Sequence, residues 1–372
     1  MTAREIPPFR ADHVGSLLRP PELLRARREF AEGALSSDEL REVEDRAIGD
    51  VVRLQEDIGL RSATDGEFRR ASWHMDFIYR LGGISEADEH LAVHFRNSEG
   101  SISFSPAALK VSGRISLGPT IFGADFAFLA SQTSTATPKL TIPSPSMVHY
   151  RGGPAAIDPE IYGDVEEFWS DLSAAYAEEI RRLAALGCQY LQLDDTSLAY
   201  LNDPEQRELL TRRGDDAEHQ HLRYIAQINA ALRDRPAGMA ITTHCCRGNF
   251  QSHWAAEGGY DFVAEALFSD LEVDGFFLEF DDERSGGFEP LRFVPPGKMV
   301  VLGLVTTKRG ELETTATLKR RIEEASKFLP FDQLCLSPQC GFSSTSEGNL
   351  LTYDDQIAKL RLVVETAAEV WG

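Results

Sequence analysis

Met239-Ala240-Ile241-Thr242-Thr243-His244-Cys245-Cys246 runs an apolar strand into the polar, glycine-bearing loop Arg247-Gly248-Asn249. Side chains of extended backbone alternate faces, so His244 and Cys246 project to one side and Cys245 to the other. Such a His-x-Cys pair can converge on one metal ion, although a bulge would put Cys245 in the place of Cys246. Phe276-Phe277-Leu278-Glu279-Phe280 sets a carboxylate inside a very apolar strand, where a charge is costly unless paired, protonated or bound to metal. Cys335-Leu336-Ser337-Pro338-Gln339-Cys340-Gly341 again ends a strand with a cysteine, followed by the residue expected where backbone turns tightly. His244, Cys246, Glu279 and Cys340 together make a donor set for tetrahedral zinc. Zinc in that set acidifies an incoming thiol, and two thiolates with one carboxylate make the site net negative before substrate binds. A substrate thiolate there stays electron-rich, which suits alkylation of sulfur better than hydrolysis.

Residues so far apart in sequence meet only if the elements carrying them end at one face. Short apolar runs at 190–193, 239–243, 275–280, 299–304 and 333–337 alternate with amphipathic stretches at 165–186, 217–232, 317–329 and 353–370. That alternation is the βαβ pattern of a parallel sheet with helices outside it. Strands at 12–16 and 61–65 and helices at 21–30 and 37–58 bring an eight-fold count within reach. The fold predicted is an α/β (β/α)8 TIM barrel, in which all strand C-termini collect at one face. Residues 1–372 are expected to form a single domain with a β-rich insertion at about 81–141, where 91–95 and 109–115 alternate. An open doubly wound sheet competes, but no G-x-G-x-x-G follows a strand and no Walker A is present.

The formal net charge of −21 would repel phosphodiester backbones and anionic membrane surfaces, so neither nucleic acid nor membrane is an expected partner. No run is long enough to span a bilayer, and the stretch 1–10 is polar with no apolar secretory core, which makes a cytoplasmic location the default. Five cysteines are an odd number for a disulfide framework and read as reduced thiols. Cys188 and Cys335 are most simply small core residues. A homo-oligomer is compatible with these properties.

These segments, with Asp12-His13-Val14-Gly15-Ser16-Leu17-Leu18-Arg19-Pro20, resemble the catalytic half of cobalamin-independent methionine synthase and its short single-barrel bacterial relatives. The resemblance spans nearly the whole chain. It implies the barrel shared with uroporphyrinogen decarboxylase, zinc on His244, Cys246, Glu279 and Cys340, and methyl transfer from a methyltetrahydrofolate-type carrier to homocysteine. It further implies that Gly15-Ser16 holds the homocysteine carboxylate, that Glu67 of Thr64-Asp65-Gly66-Glu67 contacts the amino acid, and that Asp194 of Leu191-Gln192-Leu193-Asp194-Asp195 binds its ammonium and orients it for reaction. The residue types agree in kind, since two carboxylates can pair with an α-amino group while Ser16 and backbone donors take an α-carboxylate. The plainer reading is that Asp194 and Asp195 cap the following segment, and that Asp65, Arg69 and Arg70 are solvated loop charges.

Two departures bear on the alkyl donor. The folate-binding N-terminal half of the full-length synthases has no counterpart here. The family's catalytic histidine is replaced in Gly303-Leu304-Val305-Thr306-Thr307-Lys308 by Lys308, which can donate a proton or bind an anion but has a far higher reference pKa. A rival with the same metal chemistry, epoxide-opening transfer to coenzyme M, needs cations for a sulfonate, for which Arg19, Arg69 and Lys308 are candidates. A zinc protein without catalysis would need no ammonium-binding carboxylates and no open coordination position.

Overall fold

The computed structural model describes residues 4–90, 93–105 and 107–372. Residues 91 and 92 of the expected 91–95 segment, and the first three of the polar N-terminal stretch, lie outside them. Eleven strands occur among the described residues: β1 (Ser62–Ala63), β2 (Gly82–His90), β3 (Val93–Asn97), β4 (Gly100–Phe104), β5 (Ala107–Ser116), β6 (Thr137–Pro143), β7 (Tyr190–Asp195), β8 (Ala240–Cys245), β9 (Gly275–Glu279), β10 (Met299–Val305) and β11 (Leu334–Pro338). Seven of them form one parallel sheet in the order β1-β6-β7-β8-β9-β10-β11. β6 to β11 are buried nearly throughout, as expected of parallel strands covered on both faces.

The sheet curls until its two edges face one segment. On the β11 side Ala11 bridges Leu336, with Asp12 N donating to Leu336 O at 3.0 Å and Leu336 N to Arg10 O at 2.8 Å. On the β1 side the contacts beside the strand come from side chains, Ser62 Oγ to Asp12 Oδ1 at 2.8 Å and Thr64 Oγ1 to Gly15 O at 2.6 Å, with one backbone bond beyond it, Leu17 N to Gly66 O at 3.1 Å. An eight-stranded hydrogen-bonded ladder is therefore not formed among the described residues: the strand expected at 12–16 does not form, and a single bridge at Ala11 precedes it. The cause lies in Asp12, whose buried carboxylate accepts from Phe9 N, His13 N, Ser62 Oγ and Tyr190 Oη. Side-chain bonds of this kind compete with the ladder. β1 is shortened in the same way, since Thr64 N donates to Gln55 Oε1 and Glu67 N to Asp65 Oδ1.

The helices follow their sequence signals closely. Ser37–Ile58 starts at a capping box of Ser36 and Glu39 and stops at Gly59, whose φ of 97° is the left-handed conformation that ends helices. Val165–Ala185 and Tyr353–Trp371 lie within a residue of the expected spans. Between β1 and β6 the chain makes two antiparallel pairs, β2 with β5 and β3 with β4, over 82–116. It then returns through the helix Gly123–Gln132 to β6, so 137–143 belongs to the main sheet. No helix among the described residues is long and apolar enough to cross a membrane.

Helix Val165–Ala185 carries one buried carboxylate, Glu179, whose two oxygens accept from Ile121 N at 2.9 and 3.2 Å. Burial pushes its pKa up to about 7. Folding therefore takes up a proton between the unfolded value near 4.5 and about 7, and the stability this group confers is full below that window and lost as pH rises through it. Glu179→Gln is accordingly expected to gain on the order of 2 kcal/mol relative to the parent between pH 4.5 and 7. Urea midpoints measured across that range check it; a constant difference would show that the carboxyl titrates normally.

Candidate active site

Because the main strands are parallel, β7, β8, β9 and β11 end at one face of the sheet. Register sets the details: Asp194 pairs with His244 across β7 and β8, and Glu279 pairs with Gly303 across β9 and β10. Past the strand ends the chain adds Cys246 after β8 and Cys340 after β11. One ligating atom from each of His244, Cys246, Glu279 and Cys340 lies within 4.8 Å of all the others, and all four residues are buried. The two sulfurs are 3.5 Å apart. A hydrogen bond from Cys246, with His244 beside it, holds the Cys340 thiol well below the usual range, while the same bond and burial push Cys246 up.

Glu279 Oε1 accepts from Arg247 N at 3.1 Å, and Arg284 stands 3.6 Å from Oε2. Oε2 and both ring nitrogens of His244 are nevertheless buried without a hydrogen-bond partner. Each such atom costs about 1–3 kcal/mol when left unsatisfied. One imidazole nitrogen and Glu279 Oε2 beside two sulfurs match what a zinc ion satisfies, so the donor set fits zinc on its own geometry. Cys245 points the other way, into the main apolar core with Cys188, and Cys335 packs in a smaller cluster with Phe277 and Met299.

His244, Cys246 and Cys340 line a pocket with Ser16, Glu67 and Asp194 in its wall, and Glu279 lies behind that wall within the same four-residue cluster. Asp194 Oδ1 accepts from Gln192 Nε2 at 2.7 Å, and burial, with Glu67 nearby, raises its carboxyl to about 7. Asp195 does the capping instead, accepting from Leu198 N and Ser197 Oγ. Glu67 adopts φ 61°, rare for a residue with a side chain and costing about 1–3 kcal/mol. Its Oε1 accepts from Thr141 Oγ1 at 2.7 Å and Oε2 is buried without a partner. Ser16 lies against Gly341, where a Cβ would come within 1.9 Å of Ser16 Oγ, so only glycine allows this approach.

Residues 136–369 match the family model for the catalytic domain of cobalamin-independent synthase. The chain belongs to the cobalamin-independent methionine synthase family. YxjH of Bacillus subtilis is 47% identical over 98% of this chain and 95% of its own length. Methionine synthase of Pyrococcus abyssi is 23% identical over 91% of this chain and 87% of its own. Among solved structures, a Listeria monocytogenes protein assigned as a vitamin-B12 independent methionine synthase superposes with a TM-score of 0.79 at 39% identity, covering 99% of this chain and 100% of that one.

Within this family member the basic residues that sequence reading left near the site are committed elsewhere. Arg19 donates to the carbonyls of Ser343, Thr345, Glu67 and Arg70 and so ties the β1 and β11 ends together. Asp65 and Arg70 are buried and Arg69 is half-buried in a cluster of carboxylates, which corrects their reading as solvated charges. Arg69 joins Glu44, Asp45 and Asp125, and Arg70 bonds Thr141 and stands 3.4 Å from Glu67. Lys308 is not in the wall of the pocket. Its ammonium donates to Asn249 Oδ1 at 3.1 Å and Gly248 O at 3.5 Å, because these two acceptors take its protons behind the loop that follows β8. Its side chain opens instead on a separate groove with Asp282 and Arg284.

Sequence reading missed most of the outer rim. Phe95 of β3 and Phe104 of β4 pack on Phe250 at 5.5 and 4.6 Å between ring centroids, while Arg96 and Trp254 exchange backbone bonds of 2.8 and 2.9 Å. The β3–β4 hairpin is thereby fastened to the loop carrying Cys246. Trp73, stacked on His74 at 4.4 Å, lines the same pocket, whereas His94 faces outward to Ser103. Alternation at 91–95 pointed to a β-rich insertion, but nothing local indicated what Phe95 would meet.

Proposed function

We propose that this protein transfers a methyl group from a methyltetrahydrofolate-type carrier to the sulfur of homocysteine, giving methionine, with zinc held by His244, Cys246, Glu279 and Cys340. The observation that carries this reading is the meeting of a four-residue donor set with unsatisfied buried atoms, three of its members lining the pocket, and two carboxylates in the same pocket suited to an ammonium. Zinc bound there supplies Lewis acidity, which lowers the pKa of a thiol brought to it. Asp194 and Glu67 bind the α-ammonium and aim the side chain at the cluster, and Ser16 with the backbone beside Gly341 takes the α-carboxylate. The sulfur lone pair forms the new S–CH3 bond as the carrier's N–CH3 bond breaks; the thiol proton leaves and the carrier nitrogen gains one. Most of the acceleration is assigned to holding sulfur and methyl in line. Lys308 contributes by fixing Gly248 and Asn249, and with them Cys246, and its charge is available to the leaving carrier only across that turn. The aromatic rim keeps water from the sulfur.

The same reading takes residues 1–372 as one (β/α)8 unit, with the bridge at Ala11 in the eighth position and 82–116 as an insertion. A cytoplasmic setting accords with five cysteines that are all unpaired. The test is zinc per chain together with proton release on adding homocysteine, coenzyme M or a control alcohol, followed by assay of methionine formed from methyltetrahydrofolate. Zinc near one per chain with protons released by homocysteine alone is expected. Release by coenzyme M alone would select the sulfonate thiol, and full zinc with no thiol-linked release would make the site structural.

A further inference from the structure

The two cysteines of the donor set stand on different loops, Cys246 after β8 and Cys340 after β11, and in the sheet β9 and β10 lie between those strands. Their sulfurs are nevertheless 3.5 Å apart, so contacts beyond the ladder set that spacing. Asn249 makes such a contact. Its Nδ2 donates to Gly341 O at 2.8 Å, the residue next to Cys340, and to Ser344 Oγ at 3.2 Å. At the other end Gly248 N donates to Cys246 Sγ at 3.3 Å, so the turn that carries Asn249 also holds the first sulfur. The segment that Asn249 reaches is fixed in its turn: Gly341 lies against Ser16, and Phe342 N donates to Ser16 O at 2.9 Å.

A carboxamide has a donor end and an acceptor end, and turning it over exchanges them. An ammonium has donors only, so Lys308 Nζ at 3.1 Å admits Oδ1 of Asn249 and keeps Nδ2 toward Gly341. Lys308 is buried, and its ammonium meets neutral acceptors, Asn249 Oδ1 and Gly248 O, with no carboxylate among the described residues in ion-pair contact. A buried ammonium is costly unless its donors are satisfied. Here they orient one amide and one carbonyl of the turn that follows Cys246.

We infer that Asn249 is a positioning residue for the metal site: its amide ties the loop of Cys246 to the loop of Cys340 and sets the spacing of the two sulfurs, while Lys308 fixes which way the amide faces. The consequence for zinc rests on the zinc reading above; the tie between the loops does not. Charge alone predicts the opposite sign, since Asn249→Asp adds a negative charge and Lys308→Met removes a positive one, and both would draw a divalent cation more strongly. The tie predicts weaker zinc in each, because a carboxylate cannot donate to Gly341 O and an amide released by Lys308 is free to turn over.

The experiment measures zinc affinity by competition with a chromogenic chelator, on the full-length protein and on Asn249→Ala, Asn249→Asp and Lys308→Met, with melting curves to show that each folds. Amide hydrogen exchange is followed on the same proteins stripped of metal. Asn249→Ala and Asn249→Asp are expected to weaken zinc by about tenfold or more, and Lys308→Met to act in the same direction. Exchange is expected to quicken together in 246–250 and in 340–344 of both Asn249 variants. Parent-like affinity in folded Asn249→Ala overturns the proposal. So does tighter zinc in Asn249→Asp and Lys308→Met, which would reduce both residues to their charge. Faster exchange confined to 246–250 overturns it as well, since releasing a tie loosens both of its ends. A parent that takes up no zinc would remove the zinc reading, and the exchange of the two loops would then decide the tie by itself.

Discussion

Cys340→Ser is expected to lose stoichiometric zinc and with it methyl transfer, whereas Cys188→Ser changes neither. Cys340 supplies one of four ligating atoms that lie within 4.8 Å of one another, and its thiol is the more readily ionised of the pair with Cys246. Serine keeps the shape but gives up the soft thiolate for a hydroxyl that does not ionise near neutrality. Outer partners of a metal site are already worth 10–100-fold in affinity, so loss of a direct ligand is expected to exceed about 100-fold. Cys188 lies in the apolar core, where a hydroxyl costs some stability and touches no ligand. Metal content by atomic emission, with melting curves to show that both variants fold, checks the pair. Full zinc and full activity in folded Cys340→Ser would remove it from the donor set.

Asp194→Asn is expected to raise the homocysteine requirement by roughly 30–150-fold while leaving zinc in place. One carboxylate oxygen is held by Gln192, which also bonds Val14 O at 2.6 Å, so the group is pinned beside the segment that leads to Ser16. The amide keeps that bond and the shape of the wall but removes the charge facing the ammonium. A charge-assisted hydrogen bond of this kind is worth about 2–3 kcal/mol, which gives the stated range. KM for homocysteine, measured beside zinc content, separates the roles. Release of zinc from Asp194→Asn would place Asp194 among the ligands, and an unchanged KM would leave the ammonium to Glu67.

Much of the fold was legible because helix and strand periodicities are local. The amphipathic period of 37–58 and the apolar runs that became β7 to β11 are each read from one continuous stretch of sequence. The segment 12–16 was not legible in this way. Its backbone donors look free in sequence, and only the folded chain shows the Asp12 carboxylate collecting bonds from Phe9, His13, Ser62 and Tyr190. The reading of Asp65, Arg69 and Arg70 as solvated failed for a related reason: burial of a charge depends on partners such as Thr141 and Asp125, which come from distant parts of the chain.

The sequence by itself determined the donor types and their positions at strand ends: His244 and Cys246 on one face by two-residue alternation, Glu279 inside an apolar strand, Cys340 ahead of a glycine suited to a tight turn. Those are consequences of backbone geometry over a few residues. Only the tertiary structure decided that Asp194 faces the pocket while Asp195 caps, that Lys308 lies behind the Gly248 and Asn249 turn, and that Phe95, Phe104 and Arg151 form the outer wall. Each of these depends on which distant acceptor, ring or carboxylate a side chain meets. Parallel packing brings such partners together from separate strand ends and from the β3–β4 hairpin, and no local period encodes them.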